Sequence, residues 1–596
     1  MIKKLVIPLS ILLIFSCKTG PEFNTMSADE IEQSLIEISI KNIGNLIDDG
    51  NPLKAVQLTL SVDENEADYD EINSLLPRAL SEMKRIFSEA VNDREYEKAI
   101  KYYKSYQALD MPEEVQSHSL KELQFNYVNQ LFEDNYDAAA ISYLYDNILY
   151  EDLSEENLLL LEQRLINAEN QSALQDLFDY YVSNGINALP DTVKLLNETS
   201  SIEKMIRGTV TVWINRGIKI EKGIGYPDRG IGSGFFIDNN GHILTNYHVI
   251  SSEVDPEYEG FSRLFIKLSD DSEERIPAKV IGWDKELDVA LLKAEVDPEY
   301  LFSMSRKYEP ALGDKIYAIG SPGGLKNTMT SGSVSSLNRQ LQPLGDSLQI
   351  DVPINPGNSG GPLLNSSGEV LGIIFAGIEQ FEGVNFAIPI SDVKNVLPNL
   401  YAGGRVTHPW LGCGLFERNN HLEVMYVLPG SPAAQVGLMK GDIISAINGD
   451  EFHKISAIQR YILKNDAGTI IKINWMRDSG NFSAVASLDE RPDFPMETAL
   501  SKDIIDNLFI PFFGMAVERI RGRGDKNVLY RINDVYPGLT ADESGLSVGD
   551  TVLLRKWTVL EDVQVLIMQI LMKSRKAGFI ESAVQIGTYI QKGFFI

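Results

Sequence analysis

The sequence predicts a multidomain chain: an N-terminal α-helical repeat of solenoid-like character, a central all-β region of two barrels, and two small α+β modules. Three observations carry this. Tyr96-Glu-Lys-Ala-Ile-Lys-Tyr-Tyr103 is echoed by Tyr136-Asp-Ala-Ala-Ala-Ile-Ser-Tyr143 and Leu174-Gln-Asp-Leu-Phe-Asp-Tyr-Tyr181, at spacings of 40 and 38 residues, close to the period of helix-pair solenoids. Past the polar run Asn197-Glu-Thr-Ser-Ser201 the pattern changes from helical to alternating. Near the C-terminal end, Val427-x-Pro-Gly-x-x-Ala-x-x-x-Gly-Leu-x-x-Gly-Asp442 recurs from Val535 to Asp550 at a constant offset of 108.

At 596 residues the chain has room for several cores. A formal net charge of −30 argues against a nucleic-acid partner, because a phosphate backbone demands a basic face. The two cysteines, Cys17 and Cys413, make no disulfide framework.

Taken in order, residues 1–17 read as an export signal: Lys3 and Lys4, then the apolar core Leu5–Phe15, then small Ser16. Ile14-Phe-Ser-Cys17 resembles a bacterial lipobox, which would make Cys17 a lipidated N-terminus anchored to a membrane, with 18–26 as a tether. The helical repeat region is expected over 27–200, with a further unit near Leu53-Lys-Ala-Val56. It serves either as a concave docking surface or as a spacer.

Short alternating segments such as Thr209–Ile214, Leu264–Leu268 and Ala278–Ile281, with Gly, Asn and Asp turns between them, predict the two-barrel domain over 203–400. Within it, Asn355-Pro-Gly-Asn-Ser-Gly-Gly-Pro362 sets Ser359 in a glycine-rich turn. The glycines allow backbone conformations that let the amides of Gly357 and Ser359, with Asn358, converge where an oxyanion would form. An alcohol needs an aligned base, and the base an orienter. Ile243-Leu-Thr-Asn-Tyr-His-Val249 reads as an apolar strand ending in His248, and Glu286-Leu-Asp-Val-Ala-Leu-Leu292 places Asp288 among strand residues. A buried aspartate there would need a hydrogen-bond donor, which His248 could supply. The order His, Asp, Ser is that of the chymotrypsin-type template.

Together, Gly232–Asp238, Leu244–Val249, Asp288–Lys293, Ala318–Gly323 and Asn355–Pro362 resemble the HtrA (Deg) serine proteases. The resemblance runs from about residue 203 to the C-terminal end. It implies a chymotrypsin-like double β-barrel followed by PDZ domains, at 404–490 and 500–596. The implied function is an envelope endopeptidase on the periplasmic side that cleaves unfolded or damaged proteins. Ser359 would be the nucleophile, His248 the base and Asp288 its orienter, with no metal or cofactor. A homotrimer is also implied, and the shortness of 217–229 argues against the large cages that a long insertion there builds. In the first module Trp410-Leu-Gly-Cys413 is the expected carboxylate-binding loop, holding peptide C-termini beside a strand edge. The second has Phe513-Gly514 in that place but Lys556-Trp557 where the first has the Asn448-Gly449 hairpin, so its fold is expected and its peptide binding is not.

Two further readings complete the expectation. Pro353, not an aspartate, stands six positions before Ser359, with Asp351 two positions earlier. An uncharged pocket floor cannot compensate a buried lysine or arginine, so cleavage after small or medium aliphatic residues is expected. The rival function is a non-catalytic scaffold or holdase chaperone built on the repeats and PDZ modules.

Overall fold

The computed structural model describes residues 28–596 apart from 63–68, 148, 198–200, 257, 259, 270–273, 305–308, 322, 324–327, 340, 342–343, 378–382, 479, 523–526, 561–564, 574–580 and 590–594. The export signal, the tether and Cys17 lie outside the described residues. Among the described residues no helix is long and apolar enough to cross a membrane. The chain divides into two compact units, one of residues up to His118 with His408–Ile596, the other Ser119–Thr407. The helical stretch expected as one region over 27–200 is therefore shared between the two.

Both units contain helical hairpins of one design. Ala28–Asp48 pairs with Pro52–Leu60 and Leu76–Asn92 with Tyr96–Ala108 in the first unit; Leu120–Glu133 pairs with Asp137–Asp146 and Glu155–Asn167 with Gln171–Asn184 in the second. Each turn holds one left-handed residue: Gly50 (φ 75°), Arg94 (62°), Asn135 (62°) and Glu169 (50°). The next residue donates to the carbonyl five back: Asn51 to Leu46, Glu95 to Ala90 and Tyr136 to Leu131 at 2.8 Å, and Asn170 to Leu165 at 3.2 Å. This is the Schellman closure, which satisfies carbonyls left over at a helix end. The turns recur at 51, 95, 136 and 170, so the sequence match that aligned Leu174 with Tyr136 is displaced by about one helical turn. Such a slip keeps the same helix face, which is why the pattern survives it.

In the second unit, six antiparallel strands close the first barrel: Ile276–Asp284, Arg263–Lys267, Thr209–Glu221, Ile224–Phe236, His242–Thr245 and Val289–Ala294, the last pairing back onto the first. Thr209–Glu221 and Ile224–Phe236 meet through Lys222-Gly223 (φ 50° and 81°), a two-residue turn whose positive φ values match strand twist. The second barrel is closed by Lys315–Gly320, Thr328–Arg339, Ser347–Ile350, Pro362–Leu364, Val370–Gly377 and Asn385–Pro389. Each has its own apolar core, centred on residues such as Val212, Ile243 and Leu292 in one and Ile316, Leu363 and Ile374 in the other. The helix Ile390–Ala402 then follows, and its buried Tyr401 donates to Asp238 Oδ2 at 2.6 Å while stacking on Tyr136 with ring centres 4.8 Å apart.

In the first unit, two five-stranded sheets run Cys413–Arg418, His421–Val427, Ile443–Ile447, Ile470–Arg477, Gly480–Ser487 and Met515–Arg521, Val528–Val535, Thr551–Leu560, Val565–Lys573, Glu581–Tyr589. The 108-residue repeat reappears as bonding. Val424 N donates to Asp442 O and Gly441 N to Val424 O, matched by Ile532 N to Asp550 O and Gly549 N to Ile532 O, all at 2.8–2.9 Å. The copies part after that. The first turns at Asn448-Gly449 (φ 50° and 91°) and lays down the helix Ile455–Leu463. The second runs on through Lys556-Trp557, and only 561–564 separate its strands Thr551–Leu560 and Val565–Lys573. Trp557 is instead met by Phe509, Phe512 and Phe513 of the helix Ile505–Phe513, at ring-centre distances of 5.5, 6.0 and 5.4 Å.

Candidate active site

The strand expected to end in His248 stops three residues earlier. The strand ends at Thr245, and His248 sits in the first turn of the short helix Tyr247–Val254. Asp288 likewise precedes its strand, in the left-handed region at φ 55°, with Val289 the first strand residue. His242–Thr245 and Val289–Ala294 are buried nearly throughout, and His248 and Asp288 stand just outside them, where both side chains keep some exposure.

The strand pairing brings the two together. Thr245 is opposite Ala290, and Asn246 Nδ2 donates to the Asp288 carbonyl at 2.9 Å. Asp288 then receives His248 twice: the backbone amide donates to Oδ1 at 2.8 Å, and ring Nδ1 is 2.7 Å from Oδ2. A carboxylate only accepts, so Nδ1 carries the proton and Nε2 keeps its lone pair. Burial lowers the imidazole pKa, but the hydrogen bond and charge of Asp288 outweigh it, and the net shift is upward.

The Ser359 turn is set against the neighbouring strand Ile224–Phe236. Ser233 N donates to the Ser359 carbonyl at 2.7 Å. Gly360, at φ 88°, passes so near Ser233 O and Thr245 Oγ1 that a Cβ would collide with both. Only glycine fits there. The Ser359 hydroxyl donates to the Phe375 carbonyl at 3.3 Å; among the described residues it makes no hydrogen bond to His248.

Of the three amides assigned from sequence, two are without a protein partner among the described residues: Gly357 N and Ser359 N. The Asn358 amide is taken up inside the turn, donating to Asn355 O at 3.0 Å, so it is not offered to a ligand. Gly357 has φ 105°, and a Cβ there would strike Ser321 O. Its flanking carbonyls are both held. Pro356 O accepts from Gly323 N at 2.8 Å, and Gly357 O accepts from Ser233 Oγ at 2.7 Å. A trans peptide points its N–H opposite its C=O, so tying Pro356 O to Gly323 turns the Gly357 N–H away from it. Ser233 in turn accepts from Ser321 N at 3.0 Å, and Thr211 Oγ1 donates to Ser321 Oγ at 2.7 Å. Sequence reasoning missed Ser233, quoted only inside Gly232–Asp238; its complete burial among strand residues shows only in the structure.

Asp351 is engaged on the neighbouring strand. Its carboxylate accepts from Ser333 N and, at 2.8 Å, from Ser333 Oγ. Pro353 is exposed, and its carbonyl accepts from Thr330 Oγ1 at 3.4 Å. In the other unit, Trp410, Leu411 and Cys413 are buried and Gly412 is left-handed at φ 82°. The loop is pinned by Leu428 N donating to Gly412 O at 3.0 Å and by Ser431 Oγ at 3.1 Å. Cys413 is a free thiol whose ionisation burial strongly opposes.

Two closed six-stranded barrels, with a histidine–aspartate pair and a glycine-turn serine between flanking strands, define the trypsin-like peptidase class. Residues 232–373 match the trypsin-like peptidase domain family, 423–475 the PDZ domain family, 496–590 the TP0546 family PDZ domain, and 34–127 a domain of unknown function, DUF8517. Two curated relatives carry the name "probable periplasmic serine endoprotease DegP-like". That of Hahella chejuensis (strain KCTC 2396) is 35% identical over 44% of this chain and 57% of its own length. That of Marinomonas sp. (strain MWYL1) is 34% identical over 54% of this chain and 70% of its own length. Among solved structures, the serine endoprotease from Yersinia pestis is 29% identical, covering 50% of this chain and 100% of that one, with a TM-score of 0.39. The chain belongs to the HtrA (Deg) family of serine endopeptidases.

Proposed function

We propose that this chain is a periplasmic serine endopeptidase that cleaves unfolded or damaged proteins through an acyl-enzyme. The observation that carries the reading is the double hydrogen bond from His248 to Asp288, which leaves Nε2 free as a base. When a peptide arrives, the Ser359 hydroxyl exchanges the Phe375 carbonyl for His248 Nε2, gives up its proton there and attacks the scissile carbonyl. Gly357 N and Ser359 N receive the developing oxyanion. His248, now protonated and held by Asp288, returns the proton to the leaving amine, and water repeats the cycle on the acyl-enzyme.

The first PDZ module captures peptide ends at Trp410-Leu-Gly-Cys413, whereas peptide binding by the second, which has Lys556-Trp557 in place of the Asn448-Gly449 hairpin, is not part of this reading. Export through residues 1–17 and lipidation of Cys17 tether the enzyme to a membrane, in line with the periplasmic naming of its relatives. Exchange of Cys17 for Ser should then move the protein from the detergent to the aqueous phase on partitioning.

The test is digestion of an unfolded protein such as casein. Ser359→Ala should remove cleavage by several orders of magnitude without unfolding, and adding His248→Ala should cost little more, since the pair acts as a unit. Cleavage by Ser359→Ala at the wild-type rate would overturn Ser359 as the nucleophile, and no cleavage by the wild type would leave the scaffold or holdase reading in its place.

A further inference from the structure

The carboxylate loop of the first PDZ module is already in use. Leu411 N and Gly412 N both donate to Ile596 O, at 3.2 and 2.7 Å, and Ile596 N donates to Cys413 O at 3.0 Å. Phe595 forms an antiparallel bridge with Gly414, the second residue of the strand Cys413–Arg418. From the opposite wall, Gln459 Nε2 of the helix Ile455–Leu463 reaches the Phe595 carbonyl at 3.1 Å. This is strand addition: main-chain bonds to one sheet edge, with side chains dropping into pockets.

The side chains are seated as firmly as the backbone. Phe595 is fully buried and Ile596 is 3% exposed. The Phe595 ring lies edge-on to Tyr426 at 6.0 Å between ring centres and tilted against Trp410 at 6.4 Å. Tyr426 is itself fixed, donating to Asp503 Oδ2 at 3.0 Å. At Gly412, φ is 82° and a Cβ would collide with Ser431, so only glycine presents its amide there. Every feature that would read an incoming peptide is therefore spent on two residues that the 108-residue repeat would assign to the second module.

We propose that Phe595–Ile596 is an intrachain ligand of the first PDZ groove, so that a peptide presenting an aromatic residue followed by an aliphatic one enters only by displacing it. The proposal rests on the reading of that loop as a peptide site. Physically, an N–H already given to Ile596 O is not open to a second acceptor. A tethered segment also competes at an effective concentration in the millimolar range, on the order of what short linkers provide. A peptide in solution meets that competitor before it meets the groove. The groove is closed at rest, and its ligand preference is written in the residues that close it.

The test uses the full chain carrying Ser359→Ala, so that the probe survives, and a fluorescein-labelled peptide of sequence Gln-Lys-Gly-Phe-Phe-Ile. Anisotropy titrations compare this parent with a variant lacking Phe595 and Ile596 and with a Phe595→Asp variant, each checked for cooperative melting. At least about a tenfold gain in affinity on removing the competitor is expected. Equal binding by parent and variants would overturn the proposal while leaving the peptide site standing. Binding by none of them would remove the peptide site itself, and the proposal with it. Should both variants unfold, hydrogen exchange on the parent decides: the Ile596 amide should be protected and lose protection when the peptide is added. Exchange at the unprotected rate refutes the contact.

Discussion

Ser233 donates its hydroxyl to the carbonyl of Gly357 at 2.7 Å, across from the first barrel to the turn that carries Ser359. The same oxygen accepts from Ser321 N at 3.0 Å, so one buried side chain fixes two segments of the second barrel. The Gly357 peptides are held on both sides, and the amide assigned to the oxyanion is set before substrate arrives. Ser233→Ala should lower kcat about tenfold with KM little changed, less than the 10²–10³ lost with a direct donor. It should also cost about 1–3 kcal/mol of stability for the groups left without partners. Unchanged kcat in steady-state kinetics would show that the turn holds itself.

Activity should rise with pH as His248 loses its proton, with the acid limb above the ordinary histidine value because Asp288 favours the charged ring. Asp288→Asn removes that charge. The limb should move to lower pH, and kcat should fall by about 10⁴. The stability trend runs the other way. A histidine pKa raised in the folded state stabilises fully below the unfolded value of about 6.5 and ceases to as pH rises through the folded one. Wild type should therefore exceed Asp288→Asn in stability by more at pH 5 than at pH 9. An acid limb that stays put in the variant would detach the profile from this pair.

A second histidine–aspartate pair shows how much of this was legible. Asp238 and His242 lie 2.8 Å apart, much like His248 and Asp288, and both histidines flank the same apolar run. The His242 side chain is 10% exposed and the His248 side chain 47%. Strand order and the glycine turn favour His248 in sequence, but the difference in exposure depends on Tyr401, 159 residues further along. The barrels were legible because alternation and turn residues are local signals. The division of the helical hairpins between two units was not, because it depends on contacts such as Lys101 Nζ with Ala467 O and Ser105 Oγ with Ile470 N, some 365 residues apart in sequence. The same holds for Phe595–Ile596: a two-residue segment carries no periodicity, and only its place in the groove reveals it.

Tyr401→Phe should destabilise the second unit by about 1.5–3 kcal/mol, the range for a hydrogen bond to a charged group. The hydroxyl is buried and donates to Asp238 Oδ2 at 2.6 Å, where the His242 ring also binds. Phenylalanine keeps the stack on Tyr136, so packing should survive while the carboxylate loses one of its donors. Urea denaturation followed by tryptophan fluorescence measures it. A loss below about 0.5 kcal/mol would mean that Asn240 N and His242 N, which donate to Oδ1 at 2.9 and 3.2 Å, satisfy Asp238 well enough alone.

The position of cleavage follows from where the nearest carboxylate is spent. Pro353 stands where a trypsin-like pocket would carry its aspartate, and Asp351 gives both oxygens to Ser333, one to the amide and one to the hydroxyl. Those bonds join the segment before Ser359 to the strand Thr328–Arg339. A lysine or arginine entering beside Val352 and Ile354 would have to give up water without gaining an unpaired carboxylate, at a cost of several kcal/mol. A valine or leucine gains about 1.5–3 kcal/mol by the same burial. Mass spectrometry of casein fragments should therefore show cuts after Val, Ala, Ile or Leu. Ser333→Ala supplies the sharper control: it removes the hydroxyl partner of Asp351 but leaves the amide bond. Aliphatic preference should persist in that variant, with a modest loss of rate. A shift toward lysine and arginine would show that Asp351 reaches the pocket once released, and that Ser333 sets the specificity by restraining it.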